Sequence, residues 1–116
     1  MANFERGDVV KVPFPHTGRA TRQYRPALVI SAPMLAERHG LLWMLMITSA
    51  ENRGWPEDVV VKDLAMAGLP AASVVRCAKI ATIEARGAQR LGRLDATAWS
   101  VVERHLAGLL ARPLSD

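Results

Sequence analysis

The sequence has a single cysteine, Cys77, only three lysines, and no apolar run approaching bilayer length. A lone cysteine forms no intramolecular disulfide and excludes a multi-cysteine metal site. The longest mid-chain apolar run, Leu41 to Ile47, is far short of the ~20 residues that span a membrane. The opening Met-Ala-Asn-Phe-Glu-Arg-Gly-Asp has acids where a secretory signal needs a basic and then an apolar stretch, so the expected location is cytoplasmic. Familiar catalytic signatures are missing too. There is no Gly-rich phosphate loop, no H-E-x-x-H, no G-x-S-x-G and no acid cluster for two-metal catalysis. His16, His39 and His105 lie far apart without ligand spacing, and no metal or other cofactor is expected.

What is present is globular. Half of the 116 residues are apolar and 22% are charged, far from the composition of a disordered chain. This length supports one core, not two. The formal charge is +4, and twelve of the fifteen basic residues are Arg. Val9 to Ala36 carries Lys11, Arg19, Arg22 and Arg25 with no acid. A second stretch holds Arg76, Lys79, Arg86, Arg90 and Arg93 against Glu84 alone. Guanidinium grips phosphate with paired donors and stacks on bases, which points to nucleic acid or another polyanion. A GC-rich genome that writes Arg for Lys accounts for the same counts.

Asp8 to Phe14 alternates like a strand, with Pro13 marking an edge or an end. Residues 15–23 read as an exposed loop, Arg25 to Ser31 and Leu41 to Thr48 as buried strands, and 32–40 as a connection with a helical turn. Glu51 to Pro56 reads as a second polar loop and Asp58 to Lys62 as a short strand. Ser73–Arg76 and Lys79–Ile83 form two short strands or one bent one. Asp95 is a good N-cap, and Trp99, Val102, Leu106, Leu109 and Leu110 recur at helical spacing before Pro113. The pattern predicts a single domain over 1–116, mainly β with a C-terminal α-helix, as a small barrel or rolled sheet. Strands apolar on both faces, with Trp43, Met44 and Met46, predict more hydrophobic surface than one helix covers, hence an interface.

The chemistry available is a set of Arg and hydroxyl residues at strand ends: Arg25 before Pro26, Thr48 and Ser49, and Arg76. Singly, each fits a structural role, since a terminal Arg is usually solvated and Thr is a good strand former. Together they could stabilise the charge that develops on a phosphorane without a metal. His16, at the start of the basic loop, could reach a phosphate.

Arg6-Gly-Asp-Val-Val, Arg25-Pro-Ala-Leu-Val-Ile-Ser, Met46-Ile-Thr-Ser, Ala67-Gly-Leu-Pro, Ser73-Val-Val-Arg-Cys-Ala-Lys-Ile and Leu91-Gly-Arg-Leu-Asp stand in the order and spacing of a known family. Over about residues 5–111 the chain resembles the MazF/PemK (Kid) toxins of type II toxin–antitoxin modules. The resemblance implies an SH3-like barrel, a homodimer, neutralisation by a cognate antitoxin, and metal-independent, sequence-selective cleavage of single-stranded RNA. In that chemistry the RNA 2′-hydroxyl attacks the adjacent phosphate and leaves a 2′,3′-cyclic phosphate. By resemblance Arg25 is the acid or phosphate-stabilising cation, and Thr48 donates to the phosphate oxygens. Ser49, Arg76 and His16 are further catalytic or phosphate-binding candidates. PemK-type members follow the Arg with an Asp two residues on; here that position is Ala78, so the site resembles the MazF style and the general base is unassigned. Arg19, Arg22, Arg53, Trp55 and Tyr24 are expected to contact RNA, with Trp55 or Tyr24 stacking a base or Trp55 packing on a partner subunit. Two other readings share the fold: a non-enzymatic gyrase poison like the CcdB toxins, and a plain nucleic-acid-binding barrel.

Overall fold

Alternating and continuous apolar runs give this chain its strands, and a computed structural model describes residues 3–15 and 22–111. β1 (Asp8–Pro15), β2 (Arg22–Val29), β3 (Leu41–Ser49), β4 (Asp58–Val60), β5 (Ser73–Glu84) and β6 (Gln89–Arg93) form one antiparallel sheet in the order β4-β5-β3-β2-β1-β6. The sheet is barrel-like but not closed, with β4 and β6 at its edges. Among the described residues three α-helices accompany it: α1 (Pro33–His39), α2 (Leu64–Ala67) and α3 (Ala96–Leu110).

The mainly-β fold with a terminal helix follows the sequence pattern, and the differences have local causes. The 32–40 connection is the two-turn α1, started by Pro33 at its first turn and ended by Gly40 at φ +67°. The loop after β1 is shorter than 15–23, because Pro15 already pairs with Arg22. Residues 73–84 are one strand, bent where its register slips opposite Leu45 and Met46. β6 has no clear alternation in Gln-Arg-Leu-Gly-Arg and is defined by pairing with β1.

Because strand side chains alternate, each inner strand feeds two cores. Val9, Leu28, Leu45, Ile47, Val75 and Cys77 form one with Ala98, Val102 and Leu106 of α3. Val10, Val12, Ala27, Val29, Leu42 and Met44 form the other with Phe4 and the flanking Ala36, Ile83, Ala85 and Ala88. This corrects the expected hydrophobic surplus: Met44 and Met46 are buried within one chain, and only Trp43 of the three is exposed. The apolar stripe of α3 likewise stops at Leu106, leaving Leu109 and Leu110 in solvent. Asp95 caps α3 by accepting from the Ala98 N–H at 3.1 Å.

Two motif blocks have structural explanations. Asp8 is fully buried and accepts from Glu5 N at 2.8 Å, Arg90 Nη2 at 2.7 Å and Arg93 Nη1 at 2.9 Å. Those bonds bolt β1 to β6 beside Gly7, whose φ of +95° makes the turn before Asp8. Gly68 and Gly92 make the close approach between α2 and β6 possible: a Cβ on Gly68 would collide with the Leu91 carbonyl, and one on Gly92 with that of Met66. The missing side chains let α2 lie directly on β6.

Candidate active site

The C-terminal end of β3, the front of β2 and the 68–73 segment after α2 enclose a groove of about 770 Å³. Lys11, Tyr24, Arg25, Thr48, Ser49 and Asn52 line it together with Gly68 to Ser73. Antiparallel pairing makes this grouping, since Arg25 lies three residues before Leu28, the partner of Leu45, and Thr48 three residues after Leu45. Pro26 opposes Lys11 in β1, bringing a second cation to the same rim.

Arg25 is exposed, and its Nη2 donates to Gln23 Oε1 at 2.8 Å. Tyr24, 59% exposed, lies under Lys11, whose Nζ is 5.6 Å from the ring centroid. Thr48 is half-buried, and its Oγ1 accepts from Asn52 Nδ2 at 3.1 Å. Ser49 Oγ accepts from Glu51 N at 3.2 Å and so caps the short helical turn Ala50–Asn52. Thr48 and Ser49, adjacent in sequence, therefore have different hydrogen-bond environments.

Arg76 is placed differently from Arg25. It is 8% exposed and opposite Asp58 in the β4–β5 ladder. Its Nε and Nη2 donate to the two Asp58 oxygens at 3.2 and 3.0 Å, and Nη2 also donates to the Asn52 carbonyl at 2.6 Å. The Trp55 ring covers the guanidinium, 4.3 Å from its carbon. Burial pushes the Asp58 carboxyl up, but Arg76 and the backbone N–H groups of Trp55 and Gly54 outweigh it and hold the carboxyl below its ordinary value. Trp55 remains 47% exposed on its outer face. Cys77, next along β5, is buried, and burial, then the charges of Asp58 and Glu57, push its thiol up to about 11.

Among the expected RNA contacts, Arg53 is exposed but folded back, its Nη1 donating to Ala50 O at 3.1 Å. Arg22 belongs to β2 by its backbone. His16 and Arg19 lie outside the described residues. The second basic stretch is largely neutralised internally: Arg76 pairs with Asp58, Arg86 with Glu84, and Arg90 and Arg93 with Asp8. Charge counting could not reveal this, because the acids that pair with Arg76, Arg90 and Arg93 lie 18 to 85 residues earlier in the chain. Asn52 and Asp58 are the residues that sequence reasoning passes over. Asp58 reads as the polar start of a strand, and only the β4–β5 register sets it against Arg76.

No curated protein matches the chain at a significant level. Solved structures do. MazF from Deinococcus radiodurans is 25% identical with a TM-score of 0.76, covering 95% of this chain and 98% of that one. The same organism's MazE–MazF complex matches at 24% identity and a TM-score of 0.76, over 97% of this chain and 100% of that one. An endoribonuclease in complex with its cognate antitoxin, from a mycobacterial species, shares the fold at 18% identity and a TM-score of 0.72, over 99% of this chain and 100% of that one. A family model described as PemK-like, MazF-like toxin of type II toxin–antitoxin system matches residues 5–110. With nearly its whole length under that model, the chain belongs to the PemK/MazF-like toxin family.

Proposed function

We propose that this toxin is a metal-independent endoribonuclease that cleaves single-stranded RNA sequence-selectively in the groove bearing Arg25 and Thr48. The observation that carries the reading is the convergence of an exposed Arg, a half-buried hydroxyl, Lys11 and an exposed aromatic, Tyr24, on one open groove. In the reaction the 2′-oxygen loses its proton and attacks phosphorus, and the P–O5′ bond breaks. The 5′-oxygen takes up a proton, leaving 2′,3′-cyclic phosphate and 5′-hydroxyl ends. The described lining of the groove offers no carboxylate or imidazole. Arg25 supplies fixed positive charge to the developing phosphorane, and Thr48 donates to a non-bridging oxygen. Tyr24 and the outer face of Trp55 are stacking platforms, with Arg22 and Arg53 on the flanking segments. Arg19 and His16 extend the same basic stretch.

The reading includes a cytoplasmic homodimer and an antitoxin partner. An apolar groove of about 670 Å³ between α1, Trp43, Ile80 and the end of α3 supports the dimer, with Met34, Trp43, Ile80 and Leu110 exposed along it. The MazE–MazF complex and the mycobacterial endoribonuclease with its antitoxin support the second partner. No helix among the described residues is long and apolar enough to cross a membrane.

The test is incubation of purified protein with a long mixed-sequence RNA in EDTA, with the product ends identified. Discrete fragments ending in 2′,3′-cyclic phosphate are expected. Intact RNA that is nevertheless retained by the protein would give a binding barrel instead. Intact, unbound RNA with inhibited gyrase would give the poison.

A further inference from the structure

Thr48 can donate to a phosphate only if its hydroxyl hydrogen points into the groove. A hydroxyl has one hydrogen and two lone pairs, so the partner that it already holds decides where that hydrogen is free to go. Asn52 Nδ2 is that partner, donating to Thr48 Oγ1 at 3.1 Å. The contact fills an acceptor site and leaves the O–H free to donate. We propose that Asn52 is a positioning residue that orients the Thr48 hydroxyl toward the scissile phosphate, and that the buried Arg76–Asp58 pair exists to hold Asn52 in place. The proposal rests on the cleavage reading above.

The support behind Asn52 is more rigid than an exposed turn needs. Its main-chain carbonyl accepts from Arg76 Nη2 at 2.6 Å. Arg76 is fixed from below by both Asp58 oxygens and from outside by the Trp55 ring. Asp58 Oδ2 also accepts from Gly54 N and Trp55 N, each at 3.3 Å. Both ends of the 52–58 loop are thus tied to β5 through one ion pair. A buried ion pair adds little stability over an apolar pair of the same volume, so its presence here calls for a role beyond packing. Setting the hydroxyl of a half-buried Thr at the rim of the groove is such a role. Arg76 then acts through Asn52 and Thr48 and makes no contact with RNA.

The experiment is single-turnover cleavage of a defined RNA by Asn52→Ala, Asn52→Asp and Arg76→Lys, each in the parent and in a Thr48→Val background. Asn52 is exposed on a turn, and thermal melts verify that its variants fold. Asn52→Ala frees the hydroxyl rotor and should slow the chemical step about tenfold, with apparent RNA affinity within about twofold. Asn52→Asp should be worse, about a hundredfold, since a carboxylate only accepts and turns the Thr48 hydrogen away from the groove. Arg76→Lys should follow Asn52→Ala. In the Thr48→Val background all three should have no further effect. Undiminished rates for both Asn52 variants, beside a slow Thr48→Val, would overturn the positioning role and leave the cleavage reading standing. So would losses that multiply with Thr48→Val, since they would mean direct action on RNA. Full activity in Thr48→Val would remove the assigned site itself.

Discussion

Replacing Arg76 with Met removes one member of a pair whose side chains are 10% and 8% exposed. The neutral side chain fills much of the same volume, so the penalty comes from Asp58. That carboxylate keeps the N–H groups of Gly54 and Trp55 but loses both guanidinium bonds. Stranding one buried partner costs about 3–5 kcal/mol. For a domain of this size that lowers the melting temperature by roughly 10–20 °C. Replacing both members, as Arg76→Met with Asp58→Leu, removes the stranded charge and should recover most of the loss. The single variant should also depend on pH with a definite sign. In the parent, Asp58 is held below its ordinary 3.8, so its contribution is complete above that value and is lost as pH falls through the lower folded value. Without Arg76 only burial and two backbone bonds act on it, so the gap between parent and variant should shrink as the medium is acidified past 3.8. Urea melts at fixed protein concentration, at pH 7 and pH 3, measure both effects. A loss under about 1 kcal/mol at pH 7 would refute the argument, because it would mean that Asp58 is not stranded.

Arg25→Ala should slow RNA cleavage by ~10²–10³ without lowering the melting temperature, and Arg25→Lys should be nearly as slow because the forked donor is gone. Ser49→Ala should cost about 1 kcal/mol of stability through the lost cap on Glu51 N, with a smaller effect on rate than Thr48→Val. Gly92→Ala forces a methyl group into the Met66 carbonyl and should give a destabilised or insoluble protein, whereas Gly108→Ala, on α3 with open space around its Cβ, should melt a few degrees higher than the parent. Cys77 should resist a thiol reagent at pH 8 in the native protein and react fully in urea, as its burial and a value near 11 require.

The strands and α3 were legible because their signals are local. Alternation placed β1, unbroken apolar runs placed β2 and β3, and Asp95 ahead of a helical stripe placed α3. β6 was not legible in that way, since its identity lies in hydrogen bonds to β1 and in the two Arg that reach Asp8. The site divides along the same line. Arg25 and Thr48 belong to neighbouring strands whose register can be anticipated, so they line one groove. Arg76 looked equivalent to Arg25 as a strand-end Arg, yet one is buried and the other exposed. The difference arises from Asp58 and Trp55, which reach Arg76 only when β4 folds against β5. A Met counts as surplus apolar surface in sequence, but Met44 and Met46 have inward positions that depend on how the sheet curls.

The Asp8 junction also governs the order in which this molecule can take shape during synthesis. Vectorial growth delivers β1 first, but the guanidiniums that satisfy its buried carboxylate come from positions 82 and 85 residues later. Until β6 emerges, β1 has an open edge and an unneutralised acid. α3, which closes one of the two cores, arrives later still. At about 5–20 residues per second, the ribosome holds an incomplete sheet for several seconds. The groove wall over 68–73 leans on the same strand, since Gly68 lies against Leu91 and Gly92 against Met66 and Ala67. The nascent chain therefore carries Arg25 and Thr48 well before it has a groove to hold them, and the cleft is complete only once β6 has been added.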